Sequence, residues 1–276
     1  MKSILVHVDA SARSAERVKL ALALARDHGA ELTTYYGVLP AMLATPWAVA
    51  SSLDPANGRL FDEDDRRHRD RARELVVRMA GSAEVRWTGF DDEDGNGLAG
   101  HFARKALTAD LLVLGQQDPD DREAGAVPTD LVPALIVDSG KPTLVVPASG
   151  RYDARADAVL LAWKATREAA RAAAAALPWL TRARAIHIAV GEDAGKPADF
   201  AALEHWLRLH GAAGSIERHS LPDIDIGEAL LSLAADVDAG LLAMGCYGHS
   251  RSREWILGGA TRTVLRAMTV PTLMVH

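Results

Sequence analysis

The chain has 276 residues, of which 49% are hydrophobic and 25% charged, and its formal net charge is −6. This length suggests two domains or one large one, and the acidic balance argues against nucleic acid as the main partner. One cysteine, Cys246, excludes an internal disulfide framework and favours the cytoplasm. The apolar run after Met1 is too short for a secretory signal, and no apolar run reaches the ~18 residues that span a membrane.

The first half of the chain alternates strand-like and helix-like segments. Short apolar or alternating runs predict strands, and longer amphipathic runs predict helices. In chain order we predict a strand at 4–9, a helix reaching 25, a strand at 31–38, a helix at 62–79, a strand at 84–88, a helix at 98–107, and strands at 109–115 and 142–147.

The second half repeats this order. Its predicted elements are a strand at 158–164, a helix at 169–180, a strand at 185–190, a helix at 199–209, a strand at 215–219, a helix at 227–235, a strand at 239–245, a helix at 264–268 and a strand at 271–276. Such alternation predicts an α/β fold in which each half forms a doubly wound parallel sheet. We therefore expect two domains, 1–150 and 151–276.

Topology indicates where a ligand would bind in each half. Right-handed crossovers place the first and fourth strands of a half side by side, and ligands bind at the carboxyl ends of strands at such a switch point. In the second half these ends are Trp163-Lys164 and Met244-Gly245. A candidate site is therefore expected there.

A glycine-rich loop begins at this same place. Gly245, Gly248 and Gly258 are spaced Gly-x2-Gly-x9-Gly, and Gly259-Ala260-Thr261 then leads into the predicted helix. Glycines allow close approach to a ligand, and the first N–H groups of a helix suit an anion. The pattern favours phosphate binding, although it is not a G-x-x-x-x-G-K-[ST] loop.

The glycine spacing, with its strand and helix, resembles the nucleotide loop of the universal stress protein family, and the repeat resembles a tandem member covering almost the whole chain. That resemblance implies two Rossmann-like, adenine nucleotide alpha hydrolase-like domains. It also implies a cytoplasmic regulatory or protective role in the stress response, with ATP or a related adenine nucleotide bound in the C-terminal domain, Mg²⁺ accompanying a triphosphate, and at most slow hydrolysis.

Site residues follow from the resemblance by position. Those expected to hold the nucleotide are Lys164, Val190, Met244, Gly245, Gly248, Gly258, Gly259, Ala260 and Thr261. Val190 matches a residue that touches adenine through its backbone. The family usually has Ser or Thr directly after the third glycine, whereas this chain has Gly259 there and its nearest hydroxyl at Thr261.

The first half keeps only a remnant of this pattern, namely Asp9, Val38 and Gly115. Asp9 matches the acid that family members carry beside the adenosine, a position that Lys164 occupies in the second half. After Gly115, however, come Asp118 and, in place of the third glycine, Pro128, which has no N–H to offer. We therefore expect the first-half loop to be a non-binding copy.

Two other functions stay open at this point. A nucleotide-free interaction scaffold with the same fold would use the glycine loop only as a tight turn, and an enzyme of the wider superfamily would need a catalytic motif that we do not find. Lys164 and the basic residues His249, Arg251 and Arg253 suit either phosphate or solvent. Cys246 is either a redox-sensitive thiol or a small residue in a turn.

No metal site is expected from His205, His210 and His219, because His205 and His210 are five residues apart, which is the wrong spacing for one helix face. The expected partners are an adenine nucleotide and an unidentified protein, with neither nucleic acid nor membrane. The two halves are expected to pair as an intramolecular pseudo-dimer, with the terminal strands contributing. Whether the whole chain also forms a homodimer is left open.

Overall fold

The computed structural model describes residues 1–44, 55–91, 95–118, 121, 126–191, 197–222, 225–246 and 259–276. These residues form two compact units, Met1–Ser139 and Gly140–His276. Within the described ranges, no helix combines the length and apolar character needed to cross a membrane.

The first unit contains four parallel strands in the order β3-β2-β1-β4. The predicted adjacency of its first and fourth strands is confirmed, since Ile4 pairs with Leu111. In chain order its elements are β1 (Ser3–Val8), α1 (Arg13–His28), β2 (Glu31–Tyr36), α2 (Ala41–Ala44), α3 (Pro55–Ala80), β3 (Val85–Gly89), α4 (Gly97–Ala106), β4 (Leu111–Gly115) and α5 (Leu131–Asp138).

Burial in this unit follows the arrangement expected of central parallel strands. Five consecutive residues of β1, from Ile4 to Val8, are buried, as are the first four of β4. Both faces of these strands are therefore covered, which explains why their sequences are continuous apolar runs and not alternating patterns. The edge strand β3 is only partly buried.

The second unit contains six strands in the order β5-β10-β9-β6-β7-β8. All neighbours are parallel except β5 and β10, which pair antiparallel. Its elements are β5 (Thr143–Val146), β6 (Ala158–Trp163), α6 (Arg167–Leu180), β7 (Ala185–Gly191), α7 (Pro197–Leu209), β8 (Ser215–Leu221), α8 (Ile226–Asp236), β9 (Leu241–Gly245), α9 (Gly259–Ala267) and β10 (Thr272–Val275).

The compact units divide earlier than the sequence repeat suggests. The repeat places the boundary between residues 150 and 151, whereas the first compact unit ends at Ser139 and the second begins at Gly140. The reason is β5, which belongs to the first repeat by sequence but forms a ladder with β10, Leu144 lying opposite Leu273. Both strands are fully buried, so β5 packs as part of the second unit.

Candidate functional site

In the second unit, β6 and β9 lie side by side at the predicted switch point. Ala162 pairs with Met244, so the last residues of both strands reach the same edge of the sheet. Lys164 follows β6 and is exposed, whereas Met244 is buried within β9.

Gly245 is required by packing in its own right. A Cβ atom at this position would lie 2.5 Å from the Ala169 backbone nitrogen and 2.6 Å from the Glu168 carbonyl carbon. Both atoms belong to the first turn of α6, which therefore packs directly on the end of β9. This glycine is explained by the close approach of a helix, where the sequence suggested the approach of a ligand.

Helix α9 begins at Gly259, which is exposed, and no atom of the described residues is recorded within 4 Å of where its Cβ would project. Ala260 is half-buried behind it. Two predicted site residues, Gly248 and Gly258, and the basic residues His249, Arg251 and Arg253 lie outside the described residues.

Thr261 and Cys246 lie together in the interior. Thr261 is buried, and its hydroxyl hydrogen-bonds the buried Cys246 thiol. Burial raises the pKa of Cys246 to about 12, against smaller lowering effects of the Thr261 and Val275 hydrogen bonds. Because thiolate is the reactive form, this environment favours Cys246 as a packed small residue over a redox-sensitive thiol. The hydroxyl of Thr261 is likewise engaged in the core.

A mostly apolar cavity of about 470 Å³ opens beside the last residue of β6. Its volume lies within the usual range for small-molecule sites. Trp163 lines it, and the indole Nε1–H of Trp163 is buried without a hydrogen-bond partner among the described residues. The full lining is Trp163, Ala165, Ala170, Ala173, Ala202, Leu203 and Trp206. Val190, the next-to-last residue of the adjacent β7, is buried.

The corresponding edge of the first unit contains a buried polar cluster. Asp9 lies just beyond β1, and Arg17 of α1 donates from Nη2 to its Oδ2 over 2.6 Å. The other carboxylate oxygen accepts from the Ser11 N–H at 2.9 Å and from the Ser14 hydroxyl at 2.8 Å. Both oxygens of Asp9 are therefore already engaged within the protein.

Arg17 also accounts for the remnant glycine. A Cβ at Gly115 would lie 3.0 Å from both Cδ and Cζ of Arg17, so the guanidinium occupies the space that the glycine leaves. A cleft of about 290 Å³ remains at this edge, lined in part by Asp118, Pro128 and Thr129. Val38, the third remnant residue, is buried.

The pKa values of the cluster fit a neutral histidine beside a charged pair. Burial, reinforced by the Arg17 charge, lowers the pKa of His7 to about 4. Burial alone would raise the pKa of Asp9, but Arg17, His7 and the serine hydrogen bonds hold it well below its usual value. His7 Nε2 lies 2.9 Å from the Gly37 carbonyl oxygen, which can only accept, so this nitrogen carries the proton.

No protein-family model matches the chain, and no curated protein matches it by sequence. Solved structures do match: a universal stress protein from Archaeoglobus fulgidus has a TM-score of 0.70, with 16% identity over 99% of this chain and 95% of that one. The chain has the universal stress protein fold. A candidate universal stress protein from Pseudomonas aeruginosa has a TM-score of 0.56 at 14% identity, covering 100% of this chain and 93% of that one.

A functionally unknown protein from the same organism gives a TM-score of 0.57 at 15% identity, covering 100% of this chain and 92% of that one. These likenesses extend over both repeats. The tandem organisation inferred from the repeat is therefore confirmed as a universal stress protein fold present twice.

Sequence reasoning missed two residues of this tandem fold. Arg17 carries a weak signal, since it shares the buried face of α1 with Ser14 and Val18 and points to a buried partner. Trp163 stands at the predicted strand end beside Lys164, but the sequence assigned it no role, because an aromatic residue there is ordinarily part of the core. The structure brings Trp163, Lys164 and Gly245 to one edge of the sheet, while Val190, Met244 and Thr261 are buried there.

Proposed function

We propose that the second unit binds ATP or a related adenine nucleotide, as a regulatory or protective module of the stress response with little or no catalysis. The observation that carries this proposal is the cavity at the end of β6 with the unpaired indole N–H of Trp163. A buried donor without a partner is costly, and a ligand acceptor would remove that cost.

The cavity fits the base of such a ligand. It is mostly apolar, two tryptophans line it, and its volume is about 470 Å³. A purine would place its ring against Trp163 or Trp206 and offer a ring nitrogen to the Trp163 N–H. Aromatic stacking of this kind typically contributes ~1–3 kcal/mol per base.

The phosphates would lie towards α9. Gly259 begins this helix in open space, and the first N–H groups of a helix attract anions. The exposed Lys164 ammonium, on the neighbouring strand end, would interact with the same charges. Magnesium would accompany a triphosphate as its counter-ion.

The first unit is not proposed as a nucleotide site. Arg17, Ser11 and Ser14 already use three of the roughly four acceptor positions of the buried Asp9 carboxylate, which leaves it little capacity to accept from an adenosine. The acidic and proline residues of its cleft, including Asp118 and Pro128, are poorly suited to phosphate.

Two observations favour the rival function, a nucleotide-free interaction scaffold. Gly245 is needed for α6 to pack on β9, and Thr261 is hydrogen-bonded to Cys246, so both residues have structural roles without any ligand. The unpaired Trp163 N–H and the open first turn of α9 favour the nucleotide over this alternative.

The test begins with the protein as purified. It is denatured, and any released nucleotide is identified by chromatography and mass spectrometry. ATP and adenosine are then titrated calorimetrically into the full chain and three variants. Trp163→Phe removes the N–H but keeps the ring, and Lys164→Met removes the charge. Trp179→Phe is the matched control, because the Trp179 N–H already donates to the Ala154 carbonyl oxygen.

We expect Trp163→Phe to weaken the binding of ATP and of adenosine equally, by about 2- to 10-fold, which corresponds to the loss of one hydrogen bond. Lys164→Met should weaken the binding of ATP more than the binding of adenosine, since only ATP carries phosphates. Trp179→Phe should bind like the parent chain. If no nucleotide is released and added ATP gives neither heat nor a thermal shift, the scaffold is the correct function.

The setting of this activity follows from other features. The single cysteine favours the cytoplasm. Antiparallel pairing of β5 with β10, the terminal strands of the two repeats, supports the intramolecular pseudo-dimer. An unidentified protein partner would bind the chain in a way that depends on whether nucleotide is bound.

A further inference from the structure

Three metal-ligand side chains converge on β7 and β8, at the edge of the second unit. His187 lies on β7, and Glu217 and His219 lie two residues apart on β8. One ligand atom from each falls within 4.8 Å of both others. We propose that these three residues form a binding site for a divalent transition-metal ion such as Zn²⁺, distinct from the proposed nucleotide site.

The distances suit a common ion. His187 Nδ1 lies 3.0 Å from His219 Nε2 and 3.7 Å from Glu217 Oε2. With metal–ligand bonds of about 2.0–2.1 Å, the donors of a tetrahedral zinc site lie about 3.4 Å apart. The two distances bracket this value, so small side-chain rotations would seat an ion.

The backbone that carries the ligands is held by strand pairing. His187 is opposite Glu217 and Ala189 is opposite His219 in the β7–β8 ladder, and β7 also pairs with β6. Alternation along each strand places Glu217 and His219 on one face. Ligands on rigid strands lose little conformational entropy on binding, which favours a preformed site.

The site is partly open to solvent. His187 is buried and His219 is half-buried, whereas the side chain of Glu217 is 59% exposed. An ion can therefore enter from the Glu217 side, and water can complete its coordination. Without an ion, one imidazole donates to the other. When both of these nitrogens bind metal, the donating ring takes its other tautomer, with the proton on the nitrogen that faces away from the ion.

Ligand chemistry narrows the class of ion. Two imidazoles and one carboxylate suit Zn²⁺ and its first-row neighbours, whereas Mg²⁺ and Ca²⁺ prefer oxygen ligands. Sequence spacing did not reveal the site, because His187 and His219 are 32 residues apart and only the strand register brings them together. Of the three histidines from which the sequence predicted no metal site, His219 belongs to this cluster, whereas His205 and His210 do not.

The experiment uses the full chain with metal ions removed by a chelator. Zn²⁺ is titrated calorimetrically, and Co²⁺ is added as a spectroscopic probe whose visible absorption reports nitrogen and oxygen ligands in low coordination number. Variants His219→Ala and Glu217→Gln each remove one ligand from a residue outside the core. His205→Ala is the matched control, an exposed histidine of the same unit.

We expect one equivalent of Zn²⁺ to bind and to raise the Tm, because it binds the folded chain. Mutating residues that only hydrogen-bond to a metal ligand typically lowers metal affinity about 10–100-fold. Removing a ligand, as in His219→Ala, should therefore lower the Zn²⁺ affinity by at least about that factor. Glu217→Gln should also lower the Zn²⁺ affinity, and His205→Ala should leave the Zn²⁺ affinity unchanged.

Two results would overturn the proposal. One is a parent chain that gives neither Zn²⁺ binding nor a Co²⁺ spectrum. The other is a pair of ligand variants, folded by circular dichroism, that bind Zn²⁺ as tightly as His205→Ala does.

Discussion

At the residue scale, the ion pair between Asp9 and Arg17 should be costly to break from one side, because it is almost wholly buried. Replacing Arg17 with Met leaves a carboxylate in the core without its partner. We expect the free energy of unfolding to fall by about 3–5 kcal/mol, the usual cost of breaking a buried pair. Urea denaturation followed by circular dichroism measures this loss.

A surface pair of the same unit provides the comparison. Arg86 lies 3.1 Å from Glu31, and both side chains are largely exposed. Exposed pairs typically contribute about 0–1 kcal/mol, so Arg86→Met should have little effect. Equal losses for the two arginine variants would show that the Asp9 cluster is not energetically special.

His7 should make stability depend on pH. Its folded pKa of about 4 lies below the usual value near 6.5, so the unfolded chain takes up the proton first as pH falls. The stabilisation is complete above about pH 6.5 and is lost as pH falls towards about 4, with about 2 kcal/mol lost between pH 7 and pH 5.

Unfolding free energies at pH 7 and pH 5 check this sign. His7→Gln should lose less stability than the parent chain over this interval, whereas His205→Gln, at an exposed position, should follow the parent. An unchanged pH dependence in His7→Gln would mean that His7 takes up its proton equally in the folded and unfolded chain.

Sequence reasoning was uneven at this scale. Asp9 could be singled out because an acid after an apolar strand is conspicuous, and Gly245 because glycine ends another. Their partners were not predicted, since Arg17 and Ala169 reach them only through the packing of α1 and α6. A one-dimensional pattern identifies unusual residues more readily than it identifies what they touch.

At the element scale, the junction of α6 with β9 depends on a glycine. We expect Gly245→Ala to destabilise the chain by about 1–3 kcal/mol, because its Cβ would overlap backbone atoms that cannot rotate away. Gly259→Ala is the control, since open space surrounds that position and alanine favours helix. Thermal unfolding compares them, and equal Tm values would contradict the packing described at Gly245.

Most elements could be predicted because their periodicity is strong. The helix predicted at 62–79 lies within α3, which begins earlier, at Pro55. The last helix was predicted from 264, whereas α9 begins at Gly259, five residues before. Helix starts are poorly predicted where glycine opens the first turn, because glycine reads as loop in sequence.

At the scale of the whole molecule, β5 decides where a stable fragment can begin. A fragment of residues 140–276 keeps β5 against β10, whereas 151–276 leaves the edge of β10 unpaired. We expect the shorter fragment to melt at lower temperature and to aggregate, because an apolar unpaired edge invites further pairing. Light scattering and thermal unfolding test this, and matching melting curves would show that β5 contributes nothing to the unit.

The repeat of strands and helices, and with it the doubly wound topology, was readable from the chain, because hydrophobic periodicity is local and right-handed crossovers leave few alternatives. The position of a candidate site at the ends of β6 and β9 followed from that topology. Tertiary packing decided the rest: that β5 pairs with β10, that Arg17 contacts Asp9, that the Trp163 N–H has no partner in the described parts of the chain, and that two histidines 32 residues apart meet. These contacts depend on strand register and on helix docking, which no local pattern encodes.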